Sequence, residues 1–314
     1  MSLFRRAVRI LIWLIVAVGG FVVGAAAFLA RRVVAPPRQP LWAAPDDVGM
    51  GYESIQFPAR QDAARLSGWF LPAVNGNGRT VIVVHGWTWN RLGDAAEGIA
   101  ADLIGASAVD LLRFAHALHH AGYHVAMLDL RNHGESADNP PVTFGYRESN
   151  DLLGMLDYLR KRPEVDAERI GVVGYSTGAN TLLYTLTRTE EIKAAVAVQP
   201  TSLDHFMVRM GHHLFGPFGR VIMSLAEWMV QQMGGVSFSA VDPLFAVPSA
   251  GQTPVLFVQG SGDRWGSVEN VQDIAQKTAG AIDTLIVETA DRYGGYQYVV
   301  NHPEIVTTFF EDYL

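Results

Sequence analysis

From about residue 52 onward, short β-branched runs alternate with longer stretches of helical periodicity, and that alternation limits the chain to strand–helix–strand units around a mostly parallel sheet. The runs TVIVVHG (80 to 86), YHVAMLD (123 to 129), RIGVVG (169 to 174), AAVAVQ (194 to 199), PVLFVQG (254 to 260) and IDTLIVE (282 to 288) are almost continuously apolar. Strands of that kind are covered by helices on both faces. Two earlier runs, YESIQF and RLSGWFL, have no helix between them and read as an antiparallel entry hairpin, giving eight strands. Helices are expected at about 109 to 121, 148 to 162, 177 to 188, 267 to 279 and 302 to 313. Residues 203 to 245 interrupt the alternation with a stretch rich in Met, Phe, Trp and His, read as a helical lid that faces a membrane or a substrate, or else packs on the core.

The N-terminus has a different character. Ile10 to Ala30 runs for 21 residues without a charge, enough to cross the roughly 30 Å hydrocarbon core at about 1.5 Å per residue. Ala25-Ala26-Ala27 could imitate a signal-cleavage site, but a cleaved signal has a shorter apolar region of ~7–15 residues. An uncleaved, single-pass anchor is therefore the expectation. It divides the chain into a basic tail (1–9), an anchor (10–30), a proline-rich spacer (31–51) and a globular body (52–314). Arginines flank the run almost equally on both sides, so the orientation rule discriminates weakly; the expected arrangement places the body outside the cytoplasm. Residues 1 to 40 carry six arginines and no acid, so with a total of −7 the remainder carries −13. So acidic a body repels phosphate backbones, which argues against nucleic acid as a partner. The chain has no cysteine, which excludes disulfides, thiolate metal sites and a cysteine nucleophile. No glycine-rich phosphate loop follows the first buried strand, so a nucleotide-binding role has little support.

The chemistry concentrates in Gly174-Tyr175-Ser176-Thr177-Gly178, which lies between a buried strand and a helix. A serine hydroxyl needs a base to take its proton and a turn that presents it clear of the sheet. Glycine on both flanks lets backbone pass close to that turn, and the following helix N-terminus favours developing negative charge.

With these residues in view, the chain from about residue 52 to its end resembles the α/β-hydrolases. That resemblance implies an eight-stranded α/β-hydrolase fold with Ser176 as nucleophile. His85-Gly86-Trp87 resembles the family's His-Gly turn, so the backbone N–H groups of Trp87 and Thr177 would form the oxyanion hole. The loop Asp129-Leu130-Arg131-Asn132-His133-Gly134-Glu135-Ser136 resembles one that is mainly structural in the family, which makes His85 and His133 scaffold. Asp263, after the seventh strand, takes the place of the acid, with Asp204 as a fallback. The loop after the last strand, Thr289 to Tyr296, has no histidine. Only His302 lies beyond Asp263, and Pro303-Glu304 puts it at the start of the final helix, so it is the expected base. Should His302 not serve, Arg292 or Tyr293 would occupy the base's usual place.

The implied function is hydrolysis of a carboxylic ester through an acyl-serine, and the membrane tether and Met-rich insertion suit an apolar acyl group. It needs no metal or organic cofactor, and peptidases and acyltransferases use the same machinery. The other reading is a catalytically silent binding protein on the same fold.

Overall fold

A computed structural model describes residues 2–74 and 76–314. The eight expected strands are present and form one sheet: β1 (Glu53–Pro58), β2 (Arg65–Leu71), β3 (Thr80–Val84), β4 (His124–Leu128), β5 (Ile170–Tyr175), β6 (Ala194–Val198), β7 (Val255–Gly260) and β8 (Ala281–Val287). Their spatial order is β1-β2-β4-β3-β5-β6-β7-β8. The β1–β2 hairpin is antiparallel, β2 joins β4 antiparallel, and all later pairings are parallel. Every residue of β3, β4, β5, β6 and β7 is buried, as unbroken apolar runs require when helices cover both faces.

The helices that matter here are α1 (Ser2–Val34), α2 (Leu111–His120), α3 (Ser149–Leu159), α4 (Thr177–Leu186), α5 (Leu203–Phe215), α6 (Gly219–Gln232), α7 (Val268–Lys277), α8 (Arg292–Asn301) and α9 (Glu304–Tyr313). One apolar cluster, on one face of the sheet, includes Ile82, Leu152, Leu182, Phe257 and Ile274. The other includes Val83, Phe114, Tyr175, Val258 and Phe310. Each such side chain contributes about 1.5–3 kcal/mol on full burial.

The chain crosses from β3 to β4 on one side and later to β5 on the other, so the crevice where connections diverge opens at the carboxyl ends of these strands. Parallel registers fix what meets there. Val84 pairs with Gly174 and Tyr175 with Val198, which brings the ends of β3, β5 and β6 to one level.

Three features refine the sequence reading. Residues 31–51 are not a free spacer: Arg38 donates to the Gly134 carbonyl at 2.9 Å and pairs with Asp138, and Gln39 bonds Asp94 and Ala95. The stretch 203–245 becomes a hairpin of α5 and α6 lying over the carboxyl edge of the sheet, with the second half of α1 packed along α6. The third decides the site. The segment after β8 is not a loop leading to a helix at 302; α8 begins at Arg292, capped by the Asp291 carboxylate on the Gly294 N–H at 2.9 Å. Gly294-Gly295 suggests a break in the sequence, yet Gly295 is needed in the helix because a Cβ there would run into the Gln199 side chain.

Leu3–Val34 is a helix long and apolar enough to cross a membrane, with a mean hydropathy of 2.5 in its most apolar window.

Candidate active site

Ser176 ends β5 and caps α4 with φ 54° and ψ −115°, a backbone conformation that a non-glycine residue holds only when its surroundings impose it. The surroundings are tight. A Cβ at Gly174 would collide with the Gly178 carbonyl, and one at Gly178 with that of Val84. The Ser176 N–H donates to the Val198 carbonyl at 2.9 Å, tying the turn to β6. The turn after β3 lies against the serine, since a Cβ on Gly86 would sit 3.3 Å from that of Ser176. Neither the Trp87 nor the Thr177 backbone N–H has an acceptor among the described residues, which leaves both available to an oxygen placed beside Ser176.

Asp263 is buried in the turn after β7. It accepts hydrogen bonds from the backbone N–H groups of Trp265 (3.1 Å) and Gly266 (2.9 Å) and from Gln259 Nε2 (3.2 Å). Ser176 and Asp263 are brought together as expected of a serine and its acid, but the group between them is a guanidinium. Arg292 Nη1 is paired with Asp263 Oδ2, while Nη2 donates to Ser176 Oγ at 3.2 Å and to the Gln199 carbonyl at 3.0 Å. The Phe206 ring from α5 and the Tyr296 ring from α8 lie 5.2 and 5.3 Å from the guanidinium carbon. Gln199 completes the clamp, with Nε2 donating to the Arg292 carbonyl at 2.7 Å and Oε1 accepting from the Gly260 N–H at 3.1 Å.

His302 is elsewhere. It forms the C-terminal cap of α8, half exposed, with Nδ1 3.0 Å from Glu304 Oε1 and its ring against Tyr298. The helix reaches the carboxyl edge with its first residue, Arg292; ten residues of helix then carry His302 about 15 Å along the axis. Among the described residues no histidine is hydrogen-bonded to Ser176 or Asp263. Asp204, the fallback acid, is exposed on the first turn of α5.

The protonation of the groups around Ser176 follows from their setting. Burial, the largest single influence, would lower the Arg292 pKa, but the Asp263 carboxylate and Tyr296 together outweigh it and leave the pKa raised, so the guanidinium is permanently charged. Burial also pushes the Tyr296 phenol up to about 12, against the pull of Arg292. At neutral pH neither group can take a proton from the serine. Gln199, Phe206 and Tyr296 were not singled out by the sequence; for Gln199 the signal is faint, a lone amide just past an apolar strand.

His85 and His133 are used as scaffold. His85 Nδ1–H donates to the Gly86 carbonyl at 2.7 Å and its Nε2 accepts from the Leu130 N–H at 3.0 Å, so the neutral ring fastens the β3 turn to the β4 turn. Burial lowers its pKa from 6.5 to about 3. A base depressed in the folded state stays neutral there while the unfolded chain takes up a proton, so stability is complete above about pH 6.5 and drains away as pH falls toward 3. The unfolding free energy should therefore lose about 1.4 kcal/mol per pH unit from this one group over that window. Denaturant titrations of the parent and of His85→Asn test this: the slope against pH should be shallower in the variant by about one proton.

Comparison with known proteins agrees with this architecture. The sequence profile of the alpha/beta hydrolase family matches residues 81–313. The chain belongs to the α/β-hydrolase family. It is a hydrolase by family and by fold. Among solved structures it is similar to the Pyrococcus furiosus esterase Pf2001, at 25% identity and a TM-score of 0.67 over 89% of this chain and 99% of that one. It shares its fold with the Pyrococcus horikoshii acylaminoacyl peptidase, at 16% identity and a TM-score of 0.58 over 83% of this chain and 41% of the peptidase. The curated relatives include the uncharacterized protein YqkD of Bacillus subtilis, 24% identical over 69% of this chain. Another is the uncharacterized protein YfhR of Salmonella typhi, 33% identical over 42% of it. The matches span 66% and 39% of those relatives' lengths.

Proposed function

We propose that this α/β-hydrolase recognises a carboxylic ester, or the carboxylate derived from one, at Ser176, and that its resting site is silent toward acyl-serine turnover. One observation carries the reading: Arg292 fills the space between Ser176 Oγ and Asp263 that a general base would need. A guanidinium donates only, so it stabilises negative charge near Ser176 and cannot relay the serine's proton to a leaving group. The N–H groups of Trp87 and Thr177, without acceptors among the described residues, and the start of α4 are the further donors this reading uses for a carbonyl or carboxylate oxygen. On this reading Asp263 is the counter-ion of Arg292, and α1 anchors the body to a membrane.

The second reading is ester hydrolysis through an acyl-serine at Ser176, with Asp263 as acid and the Trp87 and Thr177 N–H groups as oxyanion hole. The strained turn at Ser176 favours it, as does likeness to an esterase. It requires a base other than His302 at its resting position. Intact-mass measurement after exposure to a fluorophosphonate separates the two. The first reading expects no adduct on the parent protein and p-nitrophenyl butyrate returned unhydrolysed. An adduct that disappears in Ser176→Ala, with ester turnover, would establish the second.

A further inference from the structure

The α5–α6 hairpin does more than cover the site. Its tip, Leu214-Phe215-Gly216-Pro217-Phe218-Gly219, has no charged or hydrogen-bonding side chain. Phe218 is 48% and Val221 59% exposed, so the tip presents apolar surface to its surroundings. This surface is continuous with α1: Ala26 is fully buried against Ile222 and Ala226 of α6, and the Phe21 ring meets Phe215 edge-on at 6.3 Å between centroids. Phe21 lies near the middle of the uncharged run Ile10–Ala30, ten residues before Arg31, or about 15 Å along the helix. A bilayer that contains Ile10–Ala30 cannot exclude the group resting on Phe21.

We propose that the α5–α6 tip is a second membrane element, seated in the lipid leaflet that α1 enters beside the globular body. The inference rests on α1 being a membrane span and is independent of whether Ser176 turns over substrate. The backbone of the tip suits an apolar medium, because α5 runs directly into a 3-10 turn (Gly216–Phe218) and then α6: the Gly216 N–H donates to the His212 carbonyl, Pro217 has no N–H, and the Gly219 N–H donates to the Gly216 carbonyl. Helix-to-helix contact at the turn is close, since a Cβ at Gly219 would strike the Gly211 carbonyl. Glu227, the one acid on α6, is turned inward, accepting from Ser237 Oγ at 2.6 Å and the Phe238 N–H at 2.8 Å. Arg220 is the remaining charge of α6, and its long side chain can reach the headgroups while its stem stays in the apolar layer. The same hairpin carries Phe206 over Arg292, so the Ser176 site would lie directly beneath a lipid-embedded cap.

The absence of cysteine makes the test clean. Full-length single-cysteine variants Phe218→Cys, Val16→Cys and Val74→Cys, each labelled with a polarity-sensitive fluorophore, are reconstituted into phosphatidylcholine/phosphatidylglycerol vesicles. Quenching by nitroxides on the acyl chains is compared with quenching by nitroxides on the headgroups. Val16 lies within α1, and Val74, 90% exposed, lies at the opposite edge of the sheet. The expected result is strong acyl-chain quenching at positions 16 and 218 and none at 74. Quenching at 16 without quenching at 218 overturns the second membrane element while leaving the anchor intact. Loss of quenching at both 16 and 218 overturns the anchor and the inference together. None of these outcomes depends on esterase activity.

Discussion

If the proposed silent reading holds, Arg292→His is expected to raise esterase activity above that of the parent. An imidazole at the first residue of α8 would stand between Ser176 Oγ and Asp263, where the guanidinium now bonds both. Asp263 already accepts from the Trp265 and Gly266 N–H groups and would hold the ring's tautomer, as the third member of a serine–histidine–acid array does. A positioned general base contributes about 10²–10⁴-fold. Hydrolysis of p-nitrophenyl butyrate should rise by roughly that factor over the parent, and a fluorophosphonate adduct should appear. Both should vanish in the Arg292→His/Ser176→Ala double variant. A variant that folds, binds the ester and shows no gain in either assay would mean that the turn at Ser176 is not poised for attack, and the silent reading would then extend beyond the missing base.

The second large effect is on stability. Asp129→Asn should lower the unfolding free energy by about 3–5 kcal/mol, because it removes the buried counter-charge of a fully buried cation and leaves only the more exposed Glu135. The Asp129 carboxylate is fully buried and accepts from Arg91 Nη2 at 2.6 Å and Nε at 3.1 Å, and from the backbone N–H groups of Arg91 and Glu135 at 2.8 Å each. It thereby ties the segment after β3 to the loop after β4. At about 2–4 °C per kcal/mol for a domain of this size, the melting temperature should fall by roughly 6–20 °C. Calorimetry measures the shift directly. A change below about 1 kcal/mol would place the loop among features that merely resemble a structural motif. Glu135, the more exposed partner of Arg91 at 2.7 Å, should matter far less, since solvent screens it.

Much of the fold was readable because its signals are local. Apolar runs that are buried on both faces report their own burial, and the eight strands sit where those runs lie. The turn at Ser176 was readable for the same reason, since it needs small residues at 174 and 178 and a strand and helix on either side. Asp263 was placed by the resemblance to the α/β-hydrolases, whose acid follows the seventh strand. The segment after β8 was not readable in this way. Its double glycine looks like a loop, and the buried face of α8 carries Arg292, Tyr293, Gly295 and Tyr296 beside Val299 and Val300, while Gly294, Gln297, Tyr298 and Asn301 form the partly exposed face. Periodicity detects a helix by the contrast in hydropathy between its faces, and a buried face built on an arginine, a glycine and two tyrosines offers little.

That one helix start puts Arg292, and not His302, beside Ser176. The argument that a helix following a strand opens at the carboxyl edge holds, but the residue it delivers there is Arg292, and His302 is carried to the far end. Proline-rich composition likewise predicted a spacer at 31–51, whereas bonds from Arg38 and Gln39 to the body, formed across more than 50 residues of chain, hold it down. The sequence alone therefore determined the strand order's raw material, the exposed serine turn and an apolar N-terminal helix, because each is written in neighbouring residues. The tertiary structure alone decided which group faces Ser176 and what the cap leans on. Both depend on contacts between segments distant in sequence, such as the 116 positions separating Ser176 from Arg292, and no local pattern encodes those.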